Sequence, residues 1–199
     1  MTTRPDGPDV LDGLRARPDL AATLAYYDTL PAVPVEEMLG RWRGTGLPTG
    51  HPMDWLLEQL GWYGKRFESA EVVHPLVFRT PGGGLTSVNP ALLPVGTLMR
   101  QPALTRLPAA GTLFRVLRPL LGTARPTARL RLTGYRGVVT ATMCYDAHPI
   151  HDAFRRIDAD RVLGAMDVRG SDHPYMFVLT RVRPADVPPP AAPASGPDR

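Results

Sequence analysis

Met38-Leu39-Gly40-Arg41-Trp42-Arg43-Gly44-Thr45-Gly46-Leu47-Pro48-Thr49-Gly50-His51-Pro52 is the stretch on which the reading of this chain turns. Trp42 has a glycine two positions before it and another two positions after it, inside an alternating segment. Glycine lets a neighbouring backbone approach closely, so the large ring can fill the floor of a small barrel. Leu47 to Pro52, with two prolines and Gly50, cannot continue a ladder and reads as a rigid loop. The stretch predicts a first barrel strand that ends in a fixed turn.

Further along, Val72 to Phe78 reads as a strand in which Pro75 marks an edge or a bulge. The two-residue period returns from Arg129 to Gly134 and from Gly137 to Asp146, joined across Tyr135-Arg136. Asp152 to Asp158 and Arg161 to Asp167 read as a hairpin joined at Ala159-Asp160, and Tyr175 to Val182 as a last strand. Helical spacing appears in three places. Asp19 to Leu30 suits a short outer helix. Met53 to Leu60 suits a turn or two, with Asp54 and Glu58 on one side and Trp55, Leu56 and Leu60 toward the core. Between Thr97 and Leu121, the stripe Leu113, Phe114, Leu117 and Leu121 predicts two short helices limited by Pro108 and Pro119. The fold class expected is mainly β: an antiparallel, lipocalin-like (calycin-type) β-barrel with a helical lid over about 97–121. Residues 1–18 read as a flexible lead, 19–183 as one domain and 184–199 as a disordered Pro/Ala-rich tail.

The length of 199 residues allows a sizeable core, and 43% hydrophobic content fits a globular protein. Cys144 is the only cysteine, which excludes an intramolecular disulfide and a cysteine zinc cluster. The first residues lack an apolar signal core and no run is long enough to span a bilayer, so the chain reads as cytoplasmic.

The opening stretch resembles the GXWXG family of small bacterial proteins, over a block of about 25–80. The match continues through Gly61-Trp62-Tyr63-Gly64-Lys65-Arg66-Phe67 and His74-Pro75-Leu76-Val77-Phe78. A second block, about 125–183, resembles the domain of unknown function numbered 4334. It is carried by Ala128-Arg129-Leu130-Arg131, Arg136-Gly137, Ala141-Thr142-Met143-Cys144-Tyr145-Asp146, Pro149-Ile150-His151-Asp152-Ala153-Phe154-Arg155 and Gly164-Ala165-Met166-Asp167. The GxWxG element is also similar to the first strand of lipocalin-type and nitrobindin-type barrels. That likeness implies an apolar ligand in the first case and haem in the second.

Several constellations bear on chemistry. Between Glu71 and Asp146 there is no acidic residue, while Arg79, Arg100, Arg106, Arg115, Arg118, Arg125, Arg129, Arg131 and Arg136 fall inside. This is either a solvated basic face or a surface for an anionic headgroup or transient anionic membrane contact. Nucleic acid is not expected, because aromatics do not interleave with the arginines. On the last strand Tyr175, Phe177, Leu179 and Arg181 share a face, so Arg181 can stack on Trp42 at the barrel floor. Lys65, the only lysine, sits among Trp55, Trp62, Tyr63 and Phe67; its stem packs on rings with a wet charge, or it is desolvated and reactive. Asp152 and Arg155 can pair, and the other nearby carboxylates read as turn caps or arginine partners. His173 is the candidate axial ligand for a haem, while His151-Asp152 should not form a dyad because adjacent strand residues point apart.

The function expected is non-catalytic binding or transport of a small hydrophobic or amphipathic, lipid-like ligand inside the barrel. Phe114, Leu117, Met143, Tyr145, Phe154, Tyr175 and Phe177 are the expected lining, with Lys65, Arg129 and Arg155 as contacts for an anionic head. No catalytic residue, metal or required cofactor is expected. The alternatives are an enzyme using Lys65 or a His/Asp pair on a hydrophobic substrate, haem binding, or a barrel packed solid by its own side chains. Alternation leaves open which of two faces points inward.

Overall fold

Every strand pairing among the described residues is antiparallel, and the sheet returns to its own start. The structure, a computed structural model, describes residues 7–80, 82–94, 96–97 and 108–183. Nine strands appear among them: β1 Gly40–Gly46, β2 Trp62–Phe67, β3 Val73–Arg79, β4 Leu85–Ser87, β5 Ala128–Tyr135, β6 Val138–Tyr145, β7 Ile150–Arg156, β8 Arg161–Val168 and β9 Tyr175–Arg181. Their order is β2-β1-β9-β8-β7-β6-β5-β3-β4, and β2 also pairs with β3, which closes the sheet into a ring with β4 outside it. Four α-helices lie wholly among the described residues: α1 Gly7–Ala16, α2 Leu20–Thr29, α3 Leu56–Gln59 and α4 Pro108–Leu121.

The glycines of the opening motif have specific tasks. A Cβ on Gly44 would lie 2.2 Å from the Trp62 ring, so the glycine is the space that Trp62 occupies. Gly64 has φ +149° and a Cβ there would meet the Trp42 carbonyl oxygen at 2.0 Å. The β2–β3 register shifts on both sides of Gly64, the bulge that strand carries. On β8, Gly164 likewise leaves room for the Phe177 ring.

Two apolar clusters lie on the two sides of the sheet. The inner one contains Trp42, Phe67, Phe78, Met143, Phe154, Tyr175, Phe177 and Leu179. The outer one packs Leu11 and Leu14 of α1 and Tyr27 of α2 on Leu163, Ala165, Met176 and Val178. Residues 7–16 are therefore helical and docked, not a flexible lead. Residues 1–6 and the expected tail from 184 lie outside the described residues. Of the two short helices expected between Thr97 and Leu121, the second is present as Pro108–Leu121, with Pro119 in its last turn rather than at its limit; residues 96–97 are helical, and 98–107, where the first would continue, lie outside the described residues. Trp55, expected in the core, is 60% exposed. It adopts a left-handed conformation before α3, which turns its ring away. The β5–β6 turn is Arg136-Gly137, both with positive φ, one residue later than the alternation suggests.

Candidate functional site

Lys65 and Asp152 meet inside the closed sheet. Lys65 is opposite Trp42 in the β1–β2 register, and Asp152 is opposite Met143 and Met166 across β6 and β8. Lys65 Nζ is 2.7 Å from Asp152 Oδ2, and the two side chains are 3% and 0% exposed. The ammonium also donates to the Pro75 carbonyl at 3.4 Å. It lies 5.0 Å from the Phe177 ring centre, 5.6 Å from Trp62 and 5.8 Å from Tyr145. The Lys65 charge is thus not wet. An ion pair in an apolar interior loses several kcal/mol of hydration per ion, of order of magnitude, and survives only with close geometry.

Several buried polar atoms of the interior have no hydrogen-bond partner among the described residues: Asp152 Oδ1 and Trp62 Nε1 belong to this pair and its enclosing rings, and Tyr175 Oη and Glu58 Oε2 to groups that meet at Gly46. Phe177 is their geometric hub, with Trp62, Tyr175 and Phe154 at 6.0, 6.1 and 6.2 Å between ring centres. Burial raises the Asp152 carboxyl above the ordinary range, opposed by the charge and hydrogen bond of Lys65. Burial, aided by the Asp152 charge, pushes the Tyr145 phenol well up. Tyr175 is raised well above its ordinary value by burial, then by Glu58, Asp54 and Asp152.

The expected site residues divide between the two sides. Lys65, Met143, Tyr145, Phe154, Tyr175 and Phe177 come together inside. Phe114 reaches the same cluster from α4, 5.0 Å from Phe78 between ring centres. Leu117 does not, being 39% exposed. Arg129 is outside and pairs with Asp146 at 3.0 Å, so it cannot hold an interior head. Arg155 is buried but on the outer side of β7, where it donates to the carbonyls of Leu30 and Tyr135 and lies 5.1 Å from the Tyr27 ring. Its expected pairing with Asp152 fails for the reason that separates any adjacent strand residues: they point to opposite faces. Asp152 takes Lys65 instead. The sequence carries a signal for it, an acid between Ile150 and Phe154 at alternate positions of one strand.

Arg181 lies over Trp42, with Cζ 4.2 Å from the ring centre, and donates to the Leu39 carbonyl at 2.9 Å and the Glu37 carbonyl at 2.5 Å. Trp42 Nε1 donates to Met38 at 2.7 Å. Arg181→Met will lower stability by about 2 kcal/mol in urea denaturation, through loss of the stacked cation and its bonds to carbonyls. An unchanged midpoint would show that this contact closes nothing.

Two of the five histidines, His51 and His173, meet beside the loop that leads into α3. His51 and His173 rings are 5.3 Å apart, and His51 is 5.5 Å from Tyr175. His173 Nε2 is 3.1 Å from Thr49 Oγ1, and its backbone is tied to Ser171. These polar neighbours do not fit an axial haem ligand facing an apolar cavity. The loop before α3 is held by Asp54, whose Oδ2 accepts from the amides of Thr49, Gly50 and His51 at 2.9, 2.8 and 3.0 Å. His151 is exposed while Asp152 is buried, so they form no dyad. Burial raises the Cys144 thiol, which opposes a nucleophilic role. Among the described residues there is no group of three or more metal-ligating side chains, and no helix is long and apolar enough to cross a membrane.

Burial and then the nearby His173 lower the His51 imidazole from 6.5 to about 4. The folded state holds it neutral, so its stabilisation is complete above 6.5 and is lost as pH falls from 6.5 toward 4. That window is worth on the order of 3 kcal/mol. Melting temperature will fall across it in the wild type and fall less in His51→Asn, which keeps an acceptor for the Met53 amide that now bonds His51 Nδ1 at 3.1 Å. Parallel pH profiles would rule His51 out as the titrating group.

Residues 25–83 match the model of the GXWXG protein family, and residues 126–181 match that of the domain of unknown function DUF4334. The chain is similar to a protein from Thermomonospora curvata of known crystal structure. The two are 34% identical, with a TM-score of 0.64, over 89% of this chain and 99% of that one. No curated protein matches the chain.

Proposed function

The chain belongs to the GXWXG proteins that carry a DUF4334 segment, and we propose that it is a lipocalin-like barrel that binds a small amphipathic molecule without transforming it. The carrying observation is the Lys65–Asp152 pair, enclosed by Trp62, Tyr145 and Phe177, with the buried Asp152 Oδ1 and Trp62 Nε1 left without hydrogen-bond partners among the described residues. A barrel built only for stability would gain by replacing such a pair with apolar side chains of similar volume. The ligand's apolar body packs among Met143, Phe154, Tyr175 and Phe177, and its polar group meets Lys65 and Asp152. Because Asp152 already balances the ammonium, the favoured head is a hydroxyl or an N–H-bearing amide, which can both accept from Lys65 and donate to Asp152 Oδ1 or Tyr175 Oη; a ketone can make only the first contact. A free carboxylate fits this neutral pair less well than it would fit a lone cation.

Tryptophan fluorescence tests the reading, since Trp62 borders the pair. Titration with long-chain alcohols, ketones and amides will change the emission saturably, and the change will disappear in Trp62→Phe and weaken at least about tenfold in Lys65→Met. No saturable response to any of these classes would remove the interior from consideration as a binding site. The second reading, an enzyme acting on a hydrophobic substrate, is favoured by the same 2.7 Å contact, because a desolvated Lys–Asp pair can pass a proton. Chemical conversion of a bound ligand, lost in Asp152→Asn with binding retained, would select it.

A further inference from the structure

The outer face of β1–β3 carries a groove of about 880 Å³ bordered by Arg41, Arg43, Tyr63, Arg66, Arg79 and Ser87 among others, with no carboxylate in its lining. Its floor is low because Gly64 and Val77 stand next to Arg43 in one cross-strand row that continues to Ser87. Beside that row Arg41 is directly opposite Arg66, and Arg66 is opposite His74. Arg41 and Arg66, like charges facing across a ladder, repel, while burial favours the neutral form of His74. Glu68 offsets part of this through its 3.0 Å contact with Arg66, but Arg41 and Arg43 have no carboxylate partner among the described residues. Arg79 lies over Tyr63, 4.8 Å from the ring centre. Lys65 borders the groove too, yet its ammonium turns inward to Asp152.

Helix α4 adjoins this groove. Arg118 on α4 donates to the Arg79 carbonyl, and Thr123, just past the helix, lines the groove and donates its amide to Ser87 at 2.9 Å. The helix has two apolar faces. Phe114 and Leu121 pack on the inner cluster, whereas Leu113, Val116, Leu117 and Leu120 are 58%, 68%, 39% and 78% exposed. Those four recur at helical spacing and form a stripe without a partner among the described residues. The chain from 72 to 145, which supplies β3, β4, α4 and β5, contains no acidic residue at all. Apolar stripe and uncompensated cations side by side match the two layers of an anionic phospholipid surface.

We propose that the α4 stripe and the β1–β3 arginine groove together form a docking face for an anionic phospholipid membrane, the stripe entering the acyl boundary and the groove taking headgroup phosphates. This inference stands whether or not the interior binds a ligand. The test is flotation of the full chain with vesicles of phosphatidylglycerol and phosphatidylcholine, against vesicles of phosphatidylcholine alone, with Arg41→Gln/Arg43→Gln and Leu117→Ser/Leu120→Ser beside the wild type. The substituted side chains are largely exposed, and circular dichroism melting will verify that each variant folds. The expected result is binding to anionic vesicles that weakens with salt, falls about fivefold per arginine removed and at least about tenfold in the serine variant. Absence of binding to anionic vesicles overturns the proposal, as does binding unaffected by both variants. Glycerol phosphate binding without vesicle binding would identify a soluble-anion site instead. Dimerisation abolished by Leu117→Ser/Leu120→Ser, again without vesicle binding, would give the stripe to a second copy of this chain.

Discussion

Asp152→Asn will cost about 3–5 kcal/mol of unfolding free energy, because it strips the Lys65 ammonium of its counter-charge in a site that water does not reach. The size of the side chain barely changes, so the loss reports charge and not a cavity. Lys65→Met/Asp152→Leu will return most of that stability or exceed the wild type, since well-packed apolar groups avoid the desolvation of both ions. Urea denaturation of the three proteins, with midpoints and slopes compared, measures this directly. If Asp152→Asn unfolds at the wild-type midpoint, the ammonium is hydrated and the pair is not the centre of the interior.

Gly64→Ala will be nearly as damaging, at about 3–5 kcal/mol. A side chain at φ +149° carries backbone strain of about 1–3 kcal/mol. Its Cβ would also lie 2.0 Å from the Trp42 carbonyl oxygen, 2.8 Å from the Gly44 amide nitrogen and 3.0 Å from the Arg43 Cα. All three are backbone atoms of the neighbouring strand, so no side chain can swing away, and overpacking adds about 1–3 kcal/mol. The expected result is a lower urea midpoint or failure to fold, with Gly50→Ala as a comparison that shares positive φ but has open space. Equal losses in the two variants would mean that the close approach of β1 and β2 at Gly64 is not what the glycine serves.

The same bulge explains part of what the sequence could and could not reveal. Strand identities were legible wherever the two-residue period was unbroken, as in the β5–β6 and β7–β8 hairpins. The place of Lys65 was not. Trp62 and Lys65 are three positions apart yet both face inward, which a regular strand forbids and the shifted register at Gly64 allows. Alternation already set Asp152 and Arg155 on opposite faces of β7 and so argued against their pairing, but it could not say which of them is inside. The docked α1 helix was missed at its own residues but is signalled elsewhere. Met176-Phe177-Val178-Leu179 is apolar on both faces of β9, and a strand of that kind needs cover on its outer side as well as its inner. Trp55 was misplaced because the helical reading ran from Met53 through the left-handed Trp55, whereas α3 begins at Leu56. The Trp42–Arg181 stack was readable in advance because both residues lie on unbroken strands that pair in register.

The polar interior remains the part of the molecule with the largest functional consequence. Its most direct test is native mass spectrometry of freshly purified protein, with solvent extraction of any adduct, run on the wild type and on Lys65→Met/Asp152→Leu. The wild type will carry, or take up from a panel of long-chain alcohols, ketones and amides, one extractable amphipathic molecule, while the folded double variant stays bare. A wild type that remains bare against the whole panel, or a double variant that holds the same molecule equally well, would contradict a binding role for the interior.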